Sequence, residues 1–228
     1  MFLDEYSFDK KVSSFMSGVY GWMCAALAVT ASVAYYIAIT PDAFAFVMQP
    51  SVALSLLFGQ LLFVLALAFF VNRMSFVTAL VLFLLYAASL GVTLSSIFYV
   101  YTQASIISTF LTTALMFGVM SLYGYITRSD LTTMGNLSFM ALVGLVIGMV
   151  VNMFLGSAQF NYILSVVGVI VFVLLTAYDT QKIKQTAKML FMNNQPTQNV
   201  TIIGALTLYL DFINIFLFLL NLFGKKEE

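Results

Sequence analysis

Two aspartates, Asp179 and Asp211, lie in stretches of sequence that are otherwise apolar. An ionised carboxylate inside a bilayer is costly, so acids at such positions usually belong to an ion path, a proton switch or a catalytic pair. Two carboxyls that meet in a poorly hydrated site cannot both ionise cheaply, so such a pair shares a proton. With the proton, a hydrogen bond would hold two helices together. Without it, the pair would repel itself and offer hard oxygen ligands suited to Ca²⁺. We therefore predict that Asp179 and Asp211 form a pH switch, or gate, and are calcium ligands.

Small and polar residues accompany each aspartate along one side of its predicted helix, at about 100° per residue. The two stripes contain Asn161, Ser165, Gly168, Thr176 and Asp179 on one helix, and Gly204, Thr207, Asp211, Asn214 and Asn221 on the other. Such faces turn away from lipid. We predict that Thr176, Thr207 and Asn214 line the site or hydrogen-bond near it; the alternative is ordinary hydrogen bonding between helices. Contact between the two carboxyls depends on helix tilt and on where the last helix begins, which the sequence leaves open.

The composition is that of an integral membrane protein. Of the 228 residues, 62% are hydrophobic, and only nine are basic and nine acidic. Nearly uncharged runs recur along the whole length, as in chains that cross a bilayer repeatedly. No basic tract interleaved with aromatics is present, which excludes nucleic acid as a partner. The absence of histidine excludes His-dependent catalysis and His-ligated metal sites.

These runs predict an all-α, multi-pass membrane protein in which one transmembrane domain covers residues 1–228. Seven runs are long enough to cross a bilayer. The predicted spans are about 17–39, 51–71, 76–100, 104–126, 134–155, 161–180 and 201–223. The connections between them are short, except for 181–200.

Basic residues are distributed unevenly between the two sides that seven spans would define. One side holds Lys10, Lys11, Arg73, Arg128, Lys182, Lys184 and Lys188, and the other holds Lys225 and Lys226. Because cytoplasmic loops are enriched in Lys and Arg, this places the N-terminus in the cytoplasm and the C-terminus outside. A re-entrant last segment would instead put all the basic residues inside. We favour a full span, because 201–223 is long enough to cross and has no internal helix breaker.

Both aspartates belong to longer motifs. Residues 176–184 read Thr-Ala-Tyr-Asp-Thr-Gln-Lys-Ile-Lys, and residues 204–214 read Gly-Ala-Leu-Thr-Leu-Tyr-Leu-Asp-Phe-Ile-Asn. Supporting stretches lie at 19–23 and 85–96. At these residues the chain resembles the Bax inhibitor-1 family, also called the transmembrane Bax inhibitor motif family, and within it the bacterial YccA-like branch. The resemblance covers essentially the whole chain.

The resemblance implies a seven-helix fold with the last helix near the centre of the other six. It also implies a bacterial inner-membrane protein that permits a passive calcium leak, gated by a pH-sensitive pair at Asp179 and Asp211. Calcium would be the permeant ion, with no tightly bound cofactor. Family members carry a basic residue near the cytoplasmic end of span two that pairs with the span-six aspartate. Arg73 is the candidate for this latch, with an ordinary positive-inside anchor as its alternative. This chain departs from the pattern in having uncharged residues at 69–72 and Gln60 where some members place an acid.

Two other functions compete with the leak channel. Intramembrane aspartyl proteases also use two late-helix aspartates, but they surround the second with Gly-x-Gly-Asp, whereas residues 208–211 read Leu-Tyr-Leu-Asp. The Pro-Ala-Leu element of those enzymes is also absent, so we predict no enzymatic activity. The remaining alternative is a non-conducting regulator of stress or cell death that binds other membrane proteins. In either case, membrane lipids are expected partners, and calcium is one for the channel.

Overall fold

The computed structural model describes residues 2–70 and 74–227, almost all of which are helical. The helices are α1 (Phe2–Ala38), α2 (Pro41–Val47), α3 (Pro50–Phe70), α4 (Phe76–Leu94), α5 (Ile97–Val100), α6 (Gln103–Ile126), α7 (Thr132–Leu155), α8 (Ala158–Met192) and α9 (Gln198–Phe223). In these ranges the extended pairing amounts to one isolated antiparallel bridge between Tyr101 and Lys226. The predicted all-α class is confirmed.

Seven of the described helices are long and apolar enough to cross a membrane: α1, α3, α4, α6, α7, α8 and α9. Large apolar side chains are exposed along them, including Leu62 at 67% and Phe154 at 81%. An exposed apolar surface of this extent is expected where a protein faces lipid. The structure therefore confirms the predicted multi-pass protein with seven spanning helices.

Two helices continue well beyond the predicted spans. α1 begins at Phe2 rather than near residue 17, and α8 continues to Met192 rather than ending near residue 180. The polar stretch 181–192 contains good helix formers and no Gly or Pro, so it has no reason to leave the helix when it leaves the lipid. With its 35 residues, α8 is about 52 Å long, which exceeds a bilayer core of about 30 Å. At the end of α3, predicted residue 71 lies outside the described residues.

The chain forms two compact units, of which the first contains the described residues among 1–100, together with 186–209 and 227. At its centre, Thr30 Oγ1 lies 2.7 Å from Tyr209 Oη and donates to Ala87 O at 2.9 Å. The Tyr209 ring is fully buried and meets Phe83 edge-on. A Cβ on Gly91 would lie 2.6 Å from the Thr30 carbonyl oxygen. A small residue at position 91 therefore lets α1 and α4 approach closely, and the buried polar contacts join α1, α4 and the first half of α9.

The second unit contains residues 101–185 and 210–226. Here the Phe212 ring packs between Phe110 and Phe117, with centroid distances of 5.3 and 5.5 Å, which fixes α9 against α6.

Of the seven long helices, α9 is the most buried: 67% of its most apolar stretch is inside the protein, compared with 6% for α3. This burial agrees with the expectation of a last helix that has little contact with lipid.

Candidate functional site

Asp179 and Asp211 both lie in the second unit, on the antiparallel helices α8 and α9. Asn221 Nδ2 donates to Ser165 Oγ at 2.7 Å, which joins the two predicted polar stripes. The Phe218 ring stacks on Phe172 at 6.0 Å. Seven residues back from Phe218 is Asp211, and seven residues on from Phe172 is Asp179. The antiparallel register therefore brings the two aspartates to the same level along the helix pair.

Asp211 is deeply buried. Its side chain is only 4% exposed, and its Oδ2 atom has no hydrogen-bond donor among the residues that the structure describes. Asp179 lies at the same level on the neighbouring helix α8. A buried carboxyl oxygen without a donor is costly, and a second negative charge nearby adds to that cost. A proton or a cation placed between the two acids would reduce it.

Asp179 is half-buried and has a basic neighbour on its own helix. Lys182 lies three residues, or about one turn, further along α8. The Lys182 ammonium also lies 5.4 Å from the centre of the Tyr178 ring. Lys182 was not predicted from the sequence as a neighbour of Asp179. Their spacing of three residues on one helix could have suggested it.

Contacts made by the two residues after Asp179 hold this part of α8 in place. Thr180 Oγ1 lies 3.0 Å from Ser121 Oγ on α6. Gln181 clamps the connection between α6 and α7: it donates to Ser129 O at 2.8 Å and accepts from the Leu131 amide at 3.0 Å. These partners are about fifty positions apart in the sequence, and no local pattern in the chain pointed to them.

The other predicted site residues use their donors within their own helices. Thr176, Thr207 and Asn214 each donate to the carbonyl four residues earlier, at 2.8, 3.0 and 2.8 Å. This is the ordinary way for a polar side chain to be satisfied inside an apolar helix, and the role of these three residues near the aspartates stays a prediction. The predicted latch, Arg73, lies outside the described residues.

The donor set predicted for calcium consists of the two carboxyls of Asp179 and Asp211. In the described part of the chain, no group of three or more Asp, Glu, Cys or His side chains lies together. Calcium takes six to eight oxygen ligands, so Asp179 and Asp211 could contact a calcium ion only while water or backbone carbonyls supplied the rest. Such a pair suits an ion in transit better than a tightly held one.

The fold and the site together define an α-helical, multi-pass membrane protein with two acids at the same level of its last two long helices, α8 and α9. The chain belongs to the Bax inhibitor-1 family, because the family model described as inhibitor of apoptosis-promoting Bax1 matches residues 12–228. It is 47% identical over 220 residues to the inner membrane protein YbhL of Escherichia coli K12, a match that covers 95% of this chain and 93% of that protein.

Similar proteins occur in more distant bacteria. A protein of Deinococcus radiodurans is 41% identical over 218 residues, covering 95% of this chain and 93% of the relative. A protein of Borreliella burgdorferi is 41% identical over 217 residues, covering 95% and 94%. The predicted membership of the Bax inhibitor-1 family is thus confirmed over nearly the full length of the chain.

Proposed function

We propose that this protein is a pH-sensitive passive leak for calcium, gated by Asp179 and Asp211. The observation that carries the proposal is the burial of Asp211, whose Oδ2 lacks a donor among the described residues and which lies at the same level as Asp179 on the neighbouring helix. A buried carboxyl group beside a second acid is stabilised when it binds a proton or a cation, and either of these can be released again.

The proposed gate works through competition between those two partners. When the pair holds a proton, a carboxyl–carboxylate hydrogen bond favours close contact of α8 with α9 and closes the path. When the proton leaves, repulsion between the carboxylates favours separation of the helices, and their oxygens can replace part of the hydration shell of calcium. Loss of the proton thus opens the path and also creates the transient ion site. We propose no catalytic turnover.

Calcium flux into liposomes tests this proposal. Purified protein is reconstituted into vesicles that contain a calcium-sensitive dye, and the initial rate of influx is measured from pH 5 to pH 8. We expect a protein-dependent flux that rises with pH. Exposed carboxyls are ionised throughout this range, so they contribute little to the change. Protein-free vesicles provide the baseline.

The flux measurement also weighs the alternative function. The family is described as inhibitor of apoptosis-promoting Bax1, which favours a regulator of cell death. If no calcium crosses the vesicle membrane at any pH while the protein remains folded, the leak proposal is wrong, and a non-conducting regulator becomes the better hypothesis.

We further propose an inner-membrane location, as the name of the Escherichia coli relative states for that protein, with the N-terminus cytoplasmic and the C-terminus outside. Alkaline phosphatase fused after Glu228 should be active, because this enzyme folds only in the oxidising exterior. Green fluorescent protein fused at the same position should not fluoresce, because it needs the cytoplasm to fold. The matched control is a fusion after Pro196, before α9, which should give the opposite pattern. Fluorescence of both fusions would contradict a full crossing by α9.

A further inference from the structure

A cavity of about 400 Å³ lies in the first unit, between α1, the start of α4, the end of α8 and the start of α9. Neither aspartate lines it, and the proposed gate makes no use of it. Its volume is in the range of small-molecule and cofactor sites. What it can bind follows from the order of its lining residues.

The lining changes from charged to aromatic along α1. Lys11 lines the cavity at one end and Trp22 at the other, and eleven residues of helix separate them by about 16 Å. Trp22 meets Phe76 edge-on at 6.3 Å, so the apolar end of the cavity is a pair of packed rings. Hydroxyl and amide groups of Ser14 and Gln198 supply hydrogen-bonding groups elsewhere in the lining.

This change in polarity coincides with a boundary in the sequence of α1. The charged residues of the helix all lie at or before Lys11, and the apolar run that contains Trp22 follows. The cavity therefore extends from the part of α1 that belongs in water to the part that belongs in hydrocarbon. Tryptophan is enriched at this depth, where one end of a side chain is wet and the other dry. A phospholipid has the same amphipathic order over the same distance.

The charge of the lining favours an anionic headgroup. Lys11 is the one charged residue among the lining residues that the structure describes, and no acid accompanies it there. A lysine near the membrane surface attracts an anionic headgroup by about 1 kcal/mol, and hydroxyl or amide donors add directional hydrogen bonds to a phosphate.

We propose that this cavity binds an anionic glycerophospholipid, with its phosphate at Lys11, Ser14 and Gln198 and an acyl chain along Trp22 and Phe76. The lipid would occupy a defined site in the first unit, in addition to the general annulus of lipid around the spans. This site is independent of the proposed calcium leak and can exist whether or not the protein conducts.

Trp22 is the sole tryptophan of the chain, so intrinsic tryptophan fluorescence reports on this cavity. The protein is reconstituted in phosphatidylcholine vesicles that contain increasing fractions of phosphatidylglycerol with brominated acyl chains, which quench tryptophan on contact. Brominated phosphatidylcholine in the same proportions measures the nonspecific annulus. The ratio of the two quenching curves gives the preference of the site for the anionic lipid.

Lys11→Gln and Lys10→Gln form a matched pair. Both lysines are exposed and the substitutions change the charge equally, but only Lys11 lines the cavity. We expect the wild type and Lys10→Gln to prefer phosphatidylglycerol. In Lys11→Gln this preference should be about five times weaker, which is the effect of losing one contact between a lysine and a headgroup.

Three results would overturn the proposal. Equal loss in both variants would mean that the surface charge of α1 attracts lipid diffusely. No preference in the wild type would mean that the cavity does not select an anionic lipid. Full displacement of the brominated lipid by millimolar glycerol phosphate, which shares the headgroup and lacks the acyl chains, would identify a site for a free phosphate and not for a lipid.

Discussion

Replacing Asp211 with Asn should remove most of the pH dependence of calcium flux. In the wild type, a single shared proton can change the open population by up to about tenfold per pH unit. In Asp211→Asn the partner acid has no second carboxyl to share a proton with, so we expect the initial rate to vary less than about twofold between pH 5 and pH 8. The amide is nearly isosteric with the carboxyl, which limits the disturbance to packing around this buried residue. Asp179→Asn should have the same effect, because either substitution breaks the pair.

Asp130→Asn is the control, since it makes the same chemical change at an acid outside the spans. Asp130 is exposed, and its carboxylate accepts hydrogen bonds from the Thr132 amide at 2.9 Å and from the Thr132 hydroxyl at 2.6 Å. These hydrogen bonds stabilise the charged form and hold the pKa of Asp130 below its usual value. Asp130 therefore stays ionised from pH 5 to pH 8, and its replacement should leave the pH profile intact.

An unchanged pH profile in both Asp179→Asn and Asp211→Asn would rule out the switch. Incubation of the wild type with membrane peptides is a useful companion assay. A calcium flux that depends on Asp211, without any peptide cleavage, would separate the leak channel from an aspartyl protease.

Gly124→Ala should destabilise the second unit strongly. A Cβ at position 124 would lie 2.8 Å from the carbonyl carbon of Ala177, and closer still to its oxygen, so the added methyl group meets the backbone of α8 and not a movable side chain. The two helices must separate to accommodate it. We expect a loss of about 3 kcal/mol, the upper part of the usual range for overpacking. For a chain of this size this corresponds to a fall in Tm of at least about 6 °C, measured by thermal unfolding in detergent.

Gly118→Ala is the matched control on the same helix. Nothing lies within 4 Å of a Cβ added there, so the substitution meets no obstacle and should gain up to about 1 kcal/mol of helix propensity. Its Tm should equal or exceed that of the wild type. Equal Tm values for Gly124→Ala and Gly118→Ala would show that α6 and α8 do not pack as closely as the structure has them.

Several features of this protein follow from local sequence because they are properties of single segments. A run of about twenty apolar residues is long enough to cross a bilayer as a helix whatever its neighbours are, so the seven long helices could be predicted. An ionised aspartate inside such a run is costly in any arrangement, so Asp179 and Asp211 could be predicted as candidate site residues. The facing of α8 and α9 was also foreseeable in part: polar stripes avoid lipid, and the structure joins them through Asn221 and Ser165.

Other features depend on tertiary structure alone. The extension of α8 to Met192 was missed because hydropathy marks where a chain leaves lipid and carries no information about where the helix ends. The Gln181 clamp, the close approach of Gly124 to Ala177 and the cavity between Lys11 and Trp22 join residues far apart in the chain. Such contacts depend on the rotation and axial position of one helix relative to another. Periodicity within a single helix gives the direction of its polar face, but the level at which it meets its partner is decided by packing among all the helices.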